Sequence, residues 1–321
     1  MKYYAGVDVG GTNIAVGVID EKYNILSRCS IKTRGLELPF EAVAANIAAV
    51  TEEIVLKAGL KMSQISSVGL GTPSYVNPKT RLLIHANNLG WKNVPLYEEL
   101  GKHIKKPLFI NNDADCAALG EALAGCAGDY KDVLMITLGT GMGGGLIINR
   151  RIFNGCDHLG SEMGHTKLVY NGLPCNCGQK GCFESYASAT ALINQTKEAI
   201  SRNPSCLMNK MCGWDLAKVD GKLAFDAAKQ GDPAAIEVVD QYISYIAAGL
   251  STLISIFRPQ VIIIGGGIGS QGKFLLEPLN RRIQEFTFAA DLIGVPQAIS
   301  AKLGNDAGII GAAAAGITEI L

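Results

Sequence analysis

An α/β fold in two domains is predicted by three features of this chain. Short apolar, β-rich runs alternate with helical patterns along its length, which is the mark of layered α/β architecture. A glycine turn between two such runs occurs at Asp8-Val9-Gly10-Gly11-Thr12-Asn13 and again at Gly139-Thr140-Gly141-Met142-Gly143-Gly144-Gly145. The 321 residues suffice for two domains with large cores, and 48% hydrophobic against 18% charged residues is the composition of an ordered globular protein.

Element by element, the first domain reads as a strand from Tyr3, the glycine turn and a strand through Ile14–Ile19. A helix over about Phe40–Ala58, a strand at Val68–Gly71, a helix near Tyr97 and a strand at Leu108–Ile110 follow. A helix from Ala114 to about Ala124 opens the second domain. Next come the second glycine turn, a loop-rich cysteine segment, helical patterns over Ala187–Arg202 and Lys222–Phe257, and a strand at Val261–Ile264 that runs into Gly265-Gly266-Gly267. A last helix within 303–321 is expected to be capped by Asn305 or Asp306 and to pack its small face (Ala307, Gly311, Ala314, Ala315) on the first domain. The domains are therefore drawn as 1–113 completed by 303–321, and 114–302.

Turns of this kind present backbone N–H groups to an anion. Glycine is expected there for left-handed backbone angles and for close approach by phosphate oxygens. Either turn alone reads equally as an ordinary β-hairpin. The duplication, with Asp8 beside the first copy, favours a nucleotide phosphate clamp. No Lys-Ser or Lys-Thr pair follows the glycines and neither turn opens directly into a long helix, so this is neither a P-loop nor a dinucleotide fingerprint. ATP is the expected source of the phosphates.

Lysine plus arginine equals aspartate plus glutamate at 29 each, a balance that argues against a broad nucleic-acid footprint or attachment to an anionic membrane. The expected partner is a small molecule. A strand beginning within a few residues of Met1 leaves no room for a secretory signal, so a cytoplasmic protein is expected. The apolar stretch Ile243–Phe257 is too short to span a bilayer. Nine cysteines, an odd number and unevenly placed, make a poor disulfide framework.

Three of those cysteines are crowded. His165, Cys175, Cys177 and Cys182 place four soft or borderline ligands within eighteen residues, separated by Gly172, Pro174, Gly178 and Gly181, and they suit a structural, tetrahedral Zn²⁺. The alternative is a set of reduced core cysteines beside an unrelated histidine. Glu162 precedes His165 by three residues and Glu184 follows Cys182 by two, so a loop folded on zinc fixes both carboxylates in one neighbourhood. Fixed acceptors are what a polyol ligand requires.

Asn111-Asn112-Asp113 follows the apolar run Leu108–Ile110 and precedes a helix, placing Asp113 at the carboxyl end of a strand, where open α/β sheets bind ligands. Asp113 reads either as a helix cap or as the general base of a phosphoryl transfer. Asp8 is better placed to hold Mg²⁺ through water than to act as base.

Taken together and in order, these motifs resemble the ROK sugar kinases, most closely their bacterial ATP-dependent glucokinases. The matching segments also include Asn88-Leu89-Gly90-Trp91, Glu162-Met163-Gly164-His165 and Cys175-Asn176-Cys177-Gly178-Gln179-Lys180-Gly181-Cys182. The resemblance implies an actin-like ATPase (ribonuclease H-like) fold with a cleft between two α/β domains, a zinc-bound loop, and a homodimer or homotetramer. It implies that Asp113 deprotonates the primary hydroxyl of a hexose for attack on the γ-phosphate. By the same match Asn88, Asn112, Asp113, Glu162, His165 and Glu184 hold sugar hydroxyls, with His165 also a zinc ligand. The first turn, with Gly10, Gly11, Thr12 and Asn13, and the second, with Thr140 and Gly141, hold phosphates; Gly266 and Gly267 flank the adenosine.

One position departs from the pattern. Many of these glucokinases carry Gly-x-Pro-Gly, whose last glycine lines the sugar pocket, where this chain reads Gly71-Thr72-Pro73-Ser74. Glucose is the expected substrate, with N-acetylmannosamine, mannose, fructose and allose as alternatives. Family members that are sugar-responsive repressors carry an N-terminal helix-turn-helix, and the early first strand sets the expectation of a kinase instead.

Overall fold

The computed structural model describes residues 1–318, apart from the Asn87 side chain; residues 319–321, included in the predicted last helix, lie outside the described residues. The chain runs β1 (Tyr3–Val9), β2 (Asn13–Asp20), β3 (Ile25–Lys32), α1 (Phe40–Lys57), β4 (Ile65–Thr72), β5 (Leu83–Ala86), β6 (Trp91–Val94), α2 (Leu96–His103), β7 (Leu108–Asn112) and α3 (Asp113–Ala124). It continues through β8 (Val133–Leu138), β9 (Met142–Ile148), β10 (Arg151–Ile152), α4 (Glu184–Ala187), α5 (Ala189–Arg202), α6 (Leu207–Met211), α7 (Leu223–Lys229) and α8 (Pro233–Phe257). The last elements are β11 (Val261–Gly265), α9 (Gly266–Gly269), α10 (Lys273–Phe286), α11 (Ala290–Ile293), β12 (Gln297–Ser300) and α12 (Asp306–Thr318).

Two five-stranded sheets, ordered β3-β2-β1-β4-β7 and β10-β9-β8-β11-β12, form the framework, and β5 pairs antiparallel with β6 apart from them. Numbered within each sheet, both read third, second, first, fourth, fifth. The duplication seen in the glycine turns thus extends to the topology around them. In the first sheet β1, β2 and β3 pair antiparallel, whereas β1, β4 and β7 run parallel with Asn112 opposite Thr72.

Contacts divide the chain into one unit of Met1–Leu134, Gly145–Ser161 and Lys302–Leu321, and another of Met135–Gly144 and Glu162–Ala301. The first unit takes in α3, which the sequence division gave to the other domain. The physical reason is small-residue packing within that unit. A Cβ on Gly120 of α3 would overlap the Ala307 carbonyl of α12, and one on Gly311 would overlap the Cys116 carbonyl of α3. The same helix lies against the sheet at Gly6 of β1 and Gly69 of β4, where a Cβ would strike the carbonyls of Ile309 and Ala312. Main chain therefore rests on main chain, gaining dispersion contact that side chains would block.

The helix expected over Lys222–Phe257 is interrupted. Residues 230–232 separate α7 from α8, with Gly231 at φ 85° and Asp232 and Pro233 in the N-cap and first-turn positions of α8. Likewise α5 starts at Ala189, capped by the Ser188 hydroxyl, which accepts from Ala191 N at 3.1 Å. Asp306 opens α12 and forms an ion pair with Arg28. Among the described residues no helix is long and apolar enough to cross a membrane.

Candidate active site

The first glycine turn closes when Gly10 N donates to Asn13 O at 2.9 Å. Thr33, just beyond β3 and buried, braces it twice: its hydroxyl donates to Gly10 O at 2.6 Å and its N–H to Thr12 O at 3.0 Å. A Cβ on Gly11 would lie 2.8 Å from that of Asn88, so the turn and the Asn88 segment meet at a point that only glycine allows. Asp8, at the end of β1, shares a cavity of about 690 Å³ with Gly10, Gly11, Thr12 and Asn13. Burial pushes its carboxyl from the ordinary 3.8 up to about 6. A half-buried acid desolvated in this way gains from a nearby cation, which is the role expected of Asp8 toward Mg²⁺.

The second turn is built alike, within the other unit. Gly139 N donates to Gly141 O at 3.0 Å, and the start of α5 braces the loop through Ala189 N to Gly139 O (2.8 Å) and the Thr190 hydroxyl to Thr140 O (2.7 Å). Left-handed angles, expected of these glycines, occur at none of Gly10, Gly11, Gly139 or Gly141. Room is what Gly11 and Gly141 provide: a Cβ on Gly141 would press on Glu184 Oε2 at 2.5 Å, whereas one on Gly139 would make only an ordinary contact. The left-handed case is Gly266, at φ 78° beneath the Leu138 backbone, whereas a Cβ on Gly267 would meet open space.

Asn112 and Asp113 divide the work that the sequence assigned to one residue. Asn112 is the cap of α3, its Oδ1 accepting from Ala114 N at 2.8 Å and Asp115 N at 3.4 Å. Asp113 is the first residue of the helix, and its Oδ1 accepts from Ala114 N at 2.8 Å. Asn88 sits in a single helical turn over 87–89, directly after β5.

In the second unit His165, Cys175, Cys177 and Cys182 converge, their ligand atoms all within 4.8 Å of one another. The fit to zinc can be tested on geometry. Sulfurs at about 2.3 Å from a tetrahedral ion stand about 3.8 Å apart; Cys177 Sγ and Cys182 Sγ are 3.7 Å apart, and Cys175 Sγ is 3.8 Å from His165 Nδ1. The three cysteines are free of disulfides, and Lys167 Nζ donates to Cys182 Sγ at 3.3 Å. The donor set and spacing fit Zn²⁺. Gly181, at φ 74°, turns the loop back so tightly that a Cβ would overlap the Val169 carbonyl.

Of the two acids beside this cluster, Glu162 opens the short turn Met163–His165, its carbonyl accepting from His165 N at 3.0 Å. Glu184 does more than the sequence assigned to it. Its Oε2 accepts from Met142 N at 2.8 Å and its Oε1 lies 3.6 Å from Cys175 Sγ, so one carboxylate ties the ligand loop to the second glycine turn. Thr33, Thr190 and this double role of Glu184 were missed by sequence reasoning. Their only signal is a hydroxyl or carboxylate whose partner is a turn far along the chain or across a fold.

A family model described as "ROK family" matches residues 4–318. The chain belongs to the ROK family. Among curated ROK relatives, the glucokinase of Streptomyces coelicolor is 36% identical over 311 residues, covering 96% of this chain and 95% of that one. The glucokinase of Thermotoga maritima is 35% identical over 312 residues, with the same shares covered. A solved ROK family glucokinase from Streptomyces griseus, in complex with glucose and AMPPNP, superposes with a TM-score of 0.77 at 34% identity, over 97% of this chain and 98% of that one. The ROK fold is thereby shown: an actin-like ATPase fold of two α/β domains.

Proposed function

We propose that this ROK protein is an ATP-dependent hexokinase of the glucokinase type, transferring the γ-phosphoryl group of ATP to the C6 hydroxyl of glucose. The observation that carries the reading is Asp113 at the first position of a helix capped by its neighbour Asn112, in a chain that resembles a glucokinase holding glucose and an ATP analogue. Asp113 accepts the proton of the attacking hydroxyl, the hydroxyl oxygen bonds to the γ-phosphorus, and the bond to the β–γ bridging oxygen breaks to release ADP.

The remaining roles follow the chemistry of each group. Asn88, Asn112, Glu162, His165 and Glu184 serve the sugar hydroxyls. The backbone of Gly10, Gly11, Thr12, Asn13, Thr140 and Gly141 serves the phosphates, and Gly266 and Gly267 the adenosine. Asp8 would hold Mg²⁺, which neutralises phosphate charge when bound. The zinc ligands would hold an ion that shapes the loop and carries no reacting group, since four protein ligands leave no open position. The protein is read as a cytoplasmic homodimer or homotetramer with no nucleic-acid or membrane partner.

The test is ADP release with MgATP against glucose, mannose, fructose, allose, N-acetylglucosamine and N-acetylmannosamine at equal enzyme. A glucose-dominated ranking of kcat/KM is expected. Dominance by another hexose keeps the kinase and changes its substrate; no turnover with any of them removes the kinase reading.

A further inference from the structure

Ser74, where the resembled pattern has glycine, is 7% exposed. Its side chain is engaged by the protein's own backbone: Oγ accepts from His85 N at 3.3 Å. Around it the chain between β4 and β5 folds back on itself. Ile84 N donates to Tyr75 O at 3.2 Å, Val76 bridges Leu83, and Asn77 N donates to Leu82 O at 2.9 Å. One residue beyond Ile84, where the backbone pairing of this turn has ended, the His85 N–H meets the Ser74 side chain and not a backbone carbonyl of the 74–77 segment. On its near side Ser74 is held to the end of β4, with Ser74 N donating to Thr72 O at 2.7 Å and the Thr72 hydroxyl to Ser74 O at 3.3 Å.

The two ends of this link matter. Thr72 lies opposite Asn112, the residue that caps α3 and precedes Asp113. His85 stands three residues before Asn88, whose Cβ abuts Gly11. Resting on the hexokinase reading, we propose that Ser74 is a positioning residue: its hydroxyl fixes β5, and with it Asn88, relative to the Asn112–Asp113 corner, and it does not act as a steric gate on the sugar.

The two roles separate in a pair of variants. Ser74→Ala keeps the Cβ and loses the hydroxyl; Ser74→Gly loses both. A positioning hydroxyl predicts that both raise KM for glucose alike, by about fivefold, as loss of one ordinary hydrogen bond does. kcat should change less, and the ranking of hexoses not at all. Hydrogen exchange at the His85 amide should quicken in both variants, a readout that needs no turnover. If Ser74→Ala behaves as the unaltered protein and only Ser74→Gly changes KM or admits C2-substituted hexoses, Ser74 is a gate and the proposal falls. Unchanged His85 exchange in both variants overturns it as well. Failure of the unaltered chain to phosphorylate any hexose would instead overturn the hexokinase reading, and the effect assigned to Ser74 on the sugar with it.

Discussion

The two glycine turns are one device built twice, and they differ in the acid each keeps. Both join paired strands, and both are braced by a threonine from elsewhere in the chain, Thr33 on Gly10 and Thr190 on Thr140. At the first, Asp8 is half-buried and desolvation alone shifts its ionisation, raising it to about 6. At the second, Glu184 gives one oxygen to the Met142 N–H and sets the other beside Cys175. The acid of the first turn thus carries a desolvation penalty that a nearby cation would offset, whereas the acid of the second also ties its own loops together. A shared backbone plan does not fix how a site is charged.

Replacing the chemistry and leaving both turns intact should have the largest effect. Asp113→Ala is expected to lower kcat by roughly 10² to 10⁴-fold with nucleotide affinity retained. Activity near the original level would remove Asp113 as base, and lost nucleotide affinity would tie it to the phosphate turns. Next is Cys177→Ser, in which elemental analysis should find zinc lost. Because Glu184 spans ligand loop and turn, sugar and nucleotide KM should rise together, each about tenfold or more. Full zinc content in that variant would undo the metal assignment; a rise in sugar KM alone would show the loop and turn to be uncoupled.

A milder change is expected of Glu184→Gln, where the amide oxygen can still accept from Met142 N but the charge is gone. Nucleotide KM should rise about fivefold to tenfold, the difference between a charge-assisted and a neutral hydrogen bond. Separate from these kinetic effects is one on stability at the first turn. Asp8 binds its proton more tightly folded than unfolded, so without a cation its contribution to stability declines from about pH 4 to about pH 6 and is flat above. Asp8→Asn should abolish that decline and stabilise the chain at pH 7.5 by about 2–3 kcal/mol in urea unfolding without Mg²⁺. Equal stability of the two proteins at that pH would mean that Asp8 is not strained.

What the sequence discloses follows from how local the cause is. The glycine turns, the strand that ends at Asn112 and the cluster of His165 with three cysteines are written in residues close in sequence, and the structure forms each of them. The break before α8 was also local, since Asp232-Pro233 after Gly231 is a helix-start signal, yet the apolar period on either side masks it. Thr33, Thr190 and the second oxygen of Glu184 were not legible, because a lone hydroxyl or carboxylate does not name a backbone partner that only the fold supplies. Nor was the side of Ser74, whose partner on β5 lies eleven residues on.

The packing of α12 on Gly6, Gly69 and Gly120 sets an order on biosynthesis. The first sheet and α3 leave the ribosome well over a hundred residues before the helix that covers their glycine face. During that interval the face is uncovered, and no earlier segment can substitute, since the fit is backbone against backbone. The first unit therefore closes only after α12 has been made, and until then its nascent sheet exposes surface of the kind that aggregates.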